Sequence, residues 1–271
     1  MKNTTVVTFP FDCFGGAGTS EGAILMEEVI DEILEDAATE KRKARSRVFA
    51  GKIHTHSCDF STLEKIQNWE ATAHQVLQKL LGKEFILWCG GNHLSVKPVY
   101  EHLPADTLVI QFDAHLDVYH LHEVEKSLSH GNFLIHLGEK LPPIVQIGHR
   151  DLFLPQKHIS KYFTTTFSSL EWSKDPHGRL AEMATLVEKY SHIWLDIDCD
   201  VFDPVYFPAT GHHLPLGLSP REVVSAIDAL WSEKVLGVSF SEFLPTRDVQ
   251  DTSLTTLGWV LEWLLLKIHE V

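Results

Sequence analysis

Two clusters of acidic residues and histidine follow apolar runs in this sequence. The first is Asp113-Ala114-His115-Leu116-Asp117, and the second is Asp196-Ile197-Asp198-Cys199-Asp200. Alternate residues of an extended backbone point to the same side, so each segment directs its polar side chains to one face. Carboxylates crowded at an apolar edge repel one another unless they bind protons or cations. We therefore expect the two clusters to hold a pair of divalent metal ions.

Two shorter segments add polar groups after apolar runs. Gly90-Gly91-Asn92-His93 ends in an imidazole, and Ser241-Glu242 adds an acid. Oxygen ligands with one or two imidazoles suit Mn²⁺, Fe²⁺ or Co²⁺ better than a structural zinc site, and the four cysteines contain no C-x-x-C pair. Scattered surface acids are the alternative. Two clusters with the same spacing, each after an apolar run, favour the metal site.

The runs that precede these clusters predict strands. Apolar stretches predict strands at 6–9, 85–88, 108–112, 143–147, 192–195 and 236–240. Helical spacing predicts helices after Ser20, at 63–81, at 220–231 with Ser219 as its cap, and at 255–268. Apolar strands separated by helices indicate an α/β fold, a three-layer αβα architecture with a mostly parallel central sheet. In such sheets, ligands bind beyond the carboxyl ends of the strands.

Length and charge exclude several classes of protein. The chain has 271 residues, 44% hydrophobic and 22% charged, with a formal net charge of −14. We expect one domain over 1–271, no nucleic-acid partner, and a cationic substrate if there is a substrate. The N-terminus lacks the apolar run of a signal peptide, and we find no membrane-spanning segment. We expect a cytoplasmic protein, and a homo-oligomer is left open.

Taken together, the motifs resemble those of the ureohydrolases, the family of arginases and agmatinases. The resemblance runs from about Phe85 to the end of the chain, whereas the first eighty residues match poorly. The matching segments are 90–93 (G-G-D-H in the family), 113–117 (D-A-H-x-D), 147–150 (I-G-x-R), 198–204 (D-x-D-x-x-D-P), 217–222 (G-G-L-S-x-R-E) and 241–242 (S-E). The resemblance implies the arginase-like version of the αβα fold.

The resemblance also implies a cofactor of two Mn²⁺ ions per subunit. By analogy, His93 and Asp117 would bind one ion, His115 and Asp200 the other, and Asp113 and Asp198 both. Two such ions can activate a water molecule near neutral pH for attack on a guanidinium carbon.

Two further residues take catalytic roles by the same resemblance. Glu242 is similar to the acid that hydrogen-bonds the guanidinium group of the substrate. His130, in Ser129-His130-Gly131, matches a family histidine and is our candidate for delivering a proton to the leaving amine. The alternative is that His130 is a loop residue without a chemical role. Asp203 is expected to order its loop through hydrogen bonds and not to bind metal.

Some positions depart from the family pattern. Asn92 replaces the aspartate before the first histidine, which we expect to tune the metals without removing a ligand. Where arginases hold the α-carboxylate and α-amino groups of free arginine, this chain has Tyr119, Val124, Lys126 and Phe153. Tyr119 resembles the tyrosine of agmatinases, and Phe153 cannot pair with an ammonium group. The anchors for free L-arginine therefore look absent.

The leading hypothesis is a manganese hydrolase that splits a guanidino group into urea and an amine. Its substrate would be agmatine-like, giving a putrescine-type amine, or a peptidyl arginine converted to ornithine as in peptide arginases. His212 and His213 are candidates for facing the substrate. The alternatives are an arginase of free L-arginine, a formimino hydrolase similar to formimidoylglutamase, a zinc deacetylase-like relative, and a degenerate scaffold that regulates a partner. The complete set of six ligands disfavours the last two.

Overall fold

The central element is one parallel sheet. The computed structural model describes residues 3–39, 44–120 and 127–270. Neighbouring strands in the described chain are all parallel, and their order is β2-β1-β3-β8-β7-β4-β5-β6. The strands are β1 (Thr4–Phe9), β2 (Ile53–Ser57), β3 (Phe85–Gly90), β4 (Thr107–Phe112), β5 (Ile144–His149), β6 (Thr165–Ser168), β7 (His192–Asp198) and β8 (Val235–Ser241).

Helices cover both faces of this sheet. They are α1 (Thr19–Thr39), α2 (Leu63–Gln67), α3 (Trp69–Leu80), α4 (Lys97–His102), α5 (Gln156–Ile159), α6 (Ser169–Lys174), α7 (Pro176–Val187), α8 (Pro220–Leu230) and α9 (Thr252–His269). Short 3-10 helices occupy Arg45–Val48, His93–Val96, Phe133–Lys140, Cys199–Val201 and Pro245–Arg247.

Alternate residues of each strand enter opposite halves of the core. Val6 and Leu87 pack with buried residues of α1, α7, α8 and α9 on one face. Val7 and Trp88 pack on the other face with α3, α4 and the Phe133–Lys140 helix. Because both faces are buried, the inner strands can be apolar throughout. The predicted three-layer αβα fold is confirmed.

All six predicted strands are present, but β2 and β6 were not predicted. Both lie at the edges of the sheet. Four of the five residues of β2 are exposed, and its sequence is Ile-His-Thr-His-Ser. An edge strand needs no continuous apolar run, because only part of it faces the core.

The helix boundaries are confirmed at one end of the chain and corrected at the other. Ser219 caps α8 as predicted, since its hydroxyl accepts a hydrogen bond from the backbone of Glu222. Ser20 does not precede α1, because that helix already includes Thr19, and the Asp12 carboxylate accepts hydrogen bonds from the backbone of Gly18 and Ser20. The predicted helix 63–81 is two helices that meet at Asn68.

Three remaining expectations concern membrane helices, the cysteines and the number of domains. Within the described residues, no helix has both the length and the apolar character needed to cross a membrane. All four cysteines are free thiols, and three of them are buried. One domain over residues 1–271 stays a prediction.

Candidate active site

The candidate site lies beyond the carboxyl ends of four adjacent strands. These four strands are neighbours in the order β3-β8-β7-β4, because β8 and β7 lie between β3 and β4 in the sheet. The segments that follow them meet at one edge of the sheet. They supply His93 after β3, Glu242 after β8, Asp198 and Asp200 from the end of β7, and Asp113, His115 and Asp117 after β4.

His93 is at the centre of the first group of potential ligands. Its Nδ1 atom lies 2.8 Å from an oxygen of Asp117, 3.2 Å from one of Asp198 and 3.3 Å from one of Asp113. The side chain is 1% exposed. Neither His93 Nδ1 nor Asp113 Oδ2 has a hydrogen-bond partner, although both atoms are buried. Buried polar atoms of this kind are nearly always satisfied, so a cation at this point would complete the group.

The other ring nitrogen of His93 is held by Asp196. The distance from Nε2 to Asp196 Oδ2 is 2.8 Å, and the Tyr100 hydroxyl donates to the same oxygen at 2.6 Å. Ser239 donates to the second oxygen of Asp196. Burial alone would raise the pKa of Asp196, but His93 and these hydrogen bonds lower it. A proton on Nε2 leaves the lone pair of Nδ1 directed at the three carboxylates, as a metal ligand requires.

His115 belongs to a second group, which shares Asp113 with the first. His115 Nδ1 lies 2.8 Å from Asp200 Oδ2 and 3.9 Å from Asp113 Oδ1. The first group is His93 with Asp113 and Asp198, and the second is Asp113 with His115 and Asp200. Within each group, every residue places one potential ligand atom within 4.8 Å of those of the other two. The arrangement fits two cations with Asp113 between them.

Protonation of the two groups reflects their crowding. Burial and the charge of Asp117 raise the pKa of Asp113 to about 7. Burial opposes protonation of His115, yet the charge of Asp200 raises the pKa of His115 to about 10. Without cations the groups therefore retain protons that divalent ions would displace. Carboxylates with two imidazoles are a donor set that fits Mn²⁺.

Two of these residues adopt an uncommon backbone conformation. Asp117 and Glu242 have φ angles of 48° and 63°. Such strain is retained where surrounding contacts impose it, and it often occurs at functional sites. At Glu242 the backbone is held by its own amide, which donates to Gly91 O at 2.8 Å. Before Asp117, Gln146 Nε2 donates to Asp113 O at 2.7 Å and to His115 O at 3.2 Å.

A cavity of about 250 Å³ opens onto the ligand groups. Within it Glu242 Oε1 lies 3.0 Å from His130 Nδ1 and accepts a hydrogen bond from the His93 amide at 2.8 Å. Burial would lower the pKa of His130, but its hydrogen bond to Glu242 raises it. The cavity is lined by His115, Asp117, Tyr119, His130, Gly131, Asp198, Asp200, His212 and Glu242.

The residues predicted to contact the substrate do not all line the cavity. Tyr119 and His212 line the cavity, and His213 does not, although both histidines are exposed. A substrate contact of His213 stays a prediction. Phe153 is 64% exposed. Val124 and Lys126 lie outside the described residues.

Asp203 has the structural role expected of it. Its carboxylate accepts hydrogen bonds from the amides of Val205 at 3.1 Å and Gly217 at 2.9 Å, which order the loop after β7.

Three residues have positioning roles that were not recognised from the sequence. Asp196 orients His93, Tyr100 holds Asp196, and Gln146 supports the backbone of Asp113. Asp196 was part of the second acidic cluster, because it shares a face with Asp198, but its hydrogen bond to His93 was not predicted. Tyr100 and Gln146 carry no such signal.

The comparison with protein families decides the relationship. A model of the arginase family matches residues 2–266. The chain belongs to the arginase family. The match includes the N-terminal third, in which the sequence motifs alone showed little likeness.

Members of the arginase family with known names resemble this chain at low identity. "Arginase, mitochondrial" from Medicago truncatula is 29% identical over 175 residues, covering 60% of this chain and 49% of that protein. "N(1)-aminopropylagmatine ureohydrolase" from Thermus thermophilus is 28% identical over 176 residues, covering 63% and 59%. The match thus spans only about half the length of these relatives.

A solved structure extends the likeness to the whole fold. Formimidoylglutamase from Bacillus subtilis superposes with a TM-score of 0.79 at 20% identity, covering 98% of this chain and 87% of that one. At this identity the likeness establishes the arginase-family fold alone.

Proposed function

We propose that this protein hydrolyses the guanidino group of an arginine-derived substrate to urea and an amine, with two Mn²⁺ ions as cofactor. The observation that carries the proposal is the hydrogen-bonded pair Glu242 and His130 in the same cavity as both ligand groups. The cavity is lined by Glu242 and His130 together with Asp198, Asp200 and His115 of the two ligand groups, so a cationic group could lie beside metal ions there.

Six residues would hold the metals. The buried Nδ1 of His93 and Oδ2 of Asp113, which have no hydrogen-bond partner, support the proposal of a cation beside them. When bound, two Mn²⁺ ions supply a water molecule activated for nucleophilic attack at neutral pH. The proposed ligands are His93, Asp113, His115, Asp117, Asp198 and Asp200.

The charge of the site favours a cationic substrate. The five carboxylates of the cavity and ligand groups carry a charge of −5, which exceeds the +4 of two Mn²⁺ ions. They are Asp113, Asp117, Asp198, Asp200 and Glu242. A protonated His130 can offset the remaining charge, but the Glu242 carboxylate still attracts a guanidinium ion and repels an anionic group.

Glu242 would bind the guanidinium group of the substrate, and His130 would donate a proton to it. The Glu242 carboxylate can accept two charge-assisted hydrogen bonds from a guanidinium group, which fixes the orientation of its carbon. His130 lies 3.0 Å from that carboxylate, within reach of a leaving nitrogen. Despite burial, its hydrogen bond to Glu242 raises the pKa of His130, and transfer of a proton from His130 to the leaving nitrogen makes the amine a better leaving group.

The cavity has no Lys or Arg side chain for the carboxylate of a free amino acid among the described residues that line it. The nearby Arg150 directs its guanidinium at backbone carbonyls, including Asp200 O at 2.7 Å and Val201 O at 2.9 Å. We therefore favour agmatine-like compounds or peptidyl arginine over free arginine. Formimidoylglutamate, with two carboxylates, is disfavoured for the same reason.

A substrate screen tests the proposal. The Mn²⁺-loaded protein is given agmatine, an arginine-containing peptide with blocked ends, free arginine and formimidoylglutamate, and urea or formamide release is measured. We expect kcat/KM for agmatine or the peptide to exceed that for free arginine by more than about tenfold. A factor of about ten corresponds to the free energy of one charged hydrogen bond, which the carboxylate of free arginine would lack in this cavity. Release from none of the guanidino compounds, or a preference for formimidoylglutamate, contradicts the proposal.

A further inference from the structure

The loop between β1 and α1, residues 12–18, packs against two residues that line the proposed guanidino pocket, His130 and Glu242. A Cβ atom at Gly15 would overlap His130 Cδ2, and a Cβ at Gly16 would lie 3.2 Å from Glu242 Oε2. The loop backbone thus contacts both residues proposed to act on the substrate. Glycine at these two positions allows that approach.

This loop does not hold its conformation by local preference. Phe14, Gly15 and Gly16 have φ angles of 62°, 127° and 65°. The left-handed region is unfavourable for Phe14, whose side chain is 56% exposed and therefore adds little packing. Hydrogen bonds therefore maintain this conformation: Asp12 accepts from the amide of Gly18 and Gly16 O accepts from Thr19 within the loop region, and further bonds come from distant segments.

Asn92 supplies two of the distant contacts, and the His130 amide adds one to Phe14 O. The Nδ2 atom of Asn92 donates hydrogen bonds to Cys13 O at 2.9 Å and to Gly15 O at 2.5 Å, and its backbone amide donates to Phe11 O at 3.0 Å. Asn92 is completely buried. An aspartate has no amide hydrogens and would direct a negative charge at the same two carbonyls. The asparagine thus matches this loop, whereas the aspartate of the family motif does not.

We propose that Asn92 is a positioning residue that fixes loop 12–18 against His130 and Glu242, and that the loop thereby sets the geometry of the guanidino pocket. This inference rests on the proposed function of that pocket. It replaces the sequence-based expectation that Asn92 tunes the metals, because the Asn92 amide faces the loop. It also gives the N-terminal part of the chain a direct role at the site.

Two variants and two controls test the role of Asn92. Asn92→Asp removes the amide donor at constant shape, and Gly15→Ala displaces the loop from His130 while Asn92 remains. Gly51→Ala is the control for glycine, because Gly51 also has a positive φ of 72° but no atom lies within 4 Å of an added Cβ. Gln146→Glu is the control for buried amides, since Gln146 donates to Asp113 O and His115 O beside the metal ligands.

Three measurements are made on each Mn²⁺-loaded variant: kcat and KM on the best guanidino substrate, Mn²⁺ content, and hydrogen exchange of the segment 12–20. We expect Asn92→Asp and Gly15→Ala to lower kcat by about 10- to 100-fold, as for a displaced catalytic group, with Mn²⁺ content unchanged. Exchange in 12–20 should be at least about tenfold faster in Asn92→Asp. Gly51→Ala should keep wild-type kcat, and Gln146→Glu should lose Mn²⁺.

The inference is overturned if exchange in 12–20 is unchanged in Asn92→Asp, if that variant loses Mn²⁺ together with activity, or if Gly15→Ala is as active as Gly51→Ala. A failure of Asn92→Asp to fold leaves Gly15→Ala to decide. If wild-type protein cleaves no guanidino compound, the proposed function fails, and the exchange and metal measurements still decide whether Asn92 holds the loop.

Discussion

Replacing Glu242 by glutamine separates guanidinium recognition from metal binding. The variant keeps the shape of the side chain and an oxygen that can accept the hydrogen bond from the His93 amide. It removes the negative charge that would face the substrate. Glu242 is 4% exposed, so water cannot screen or replace the lost charge.

The size of the effect follows from this burial. Removing one partner of a buried ion pair costs about 3–4 kcal/mol, the lower part of the usual range. At 1.4 kcal/mol per factor of ten, kcat/KM should fall about 100- to 1000-fold. Mn²⁺ content should not change, because the carboxylate of Glu242 belongs to neither ligand group.

The assay measures urea release over a range of substrate concentrations, together with elemental analysis of the same sample. Glu101→Gln is a matched control, since this glutamate is 10% exposed, pairs with Lys97 at 2.9 Å and does not line the cavity. We expect it to keep kcat/KM within about twofold of wild type. Wild-type kcat/KM in Glu242→Gln, or loss of its Mn²⁺, would refute the assignment of Glu242 to the guanidinium group.

Three further predictions concern the metals, the proton and the fold. Asp113→Asn should lower Mn²⁺ affinity by more than about 100-fold with loss of urea release, because Asp113 belongs to both ligand groups; dialysis followed by elemental analysis measures this. His130→Gln should lower kcat by about 10²- to 10⁴-fold at unchanged Mn²⁺ content, and an unchanged kcat would remove His130 from the mechanism. Burial lowers the pKa of His269 to about 4, so the unfolded chain takes up a proton near pH 6.5 before the folded chain does, and stability should fall as the pH drops from 6.5 to 4. Chemical denaturation should show this loss in wild type and a smaller one in His269→Gln.

The inner part of the sheet could be predicted because its strands are buried on both faces. Strands β3, β4, β7 and β8 are continuous apolar runs, and the residues that follow them carry the chemistry. The rule that ligands bind beyond the carboxyl ends of parallel strands was enough to bring the acidic clusters together. The strand order itself was not needed.

The edges of the sheet could not be predicted in the same way. Strand β2 is mostly polar and exposed, so its sequence resembles a loop. Strand β6 has only four residues. Pairing with a neighbouring strand stabilises such segments, and a single sequence does not reveal the neighbour.

The contacts between segments far apart in sequence could not be predicted. Asn92 was recognised as unusual, but its partners lie 77 and 79 residues away in loop 12–18. That loop reaches the site because β1 pairs with β3. Likewise, the role of Asp196 depends on His93, which is 103 residues distant.

Anomalous diffraction at the manganese absorption edge tests the central claim most directly. For crystals of the Mn²⁺-loaded protein, we predict two peaks beyond the carboxyl ends of β3, β7 and β4, one beside His93, one beside His115, and both next to Asp113. A map without a peak at these residues, or with a single peak in fully loaded and active protein, would contradict a two-metal centre.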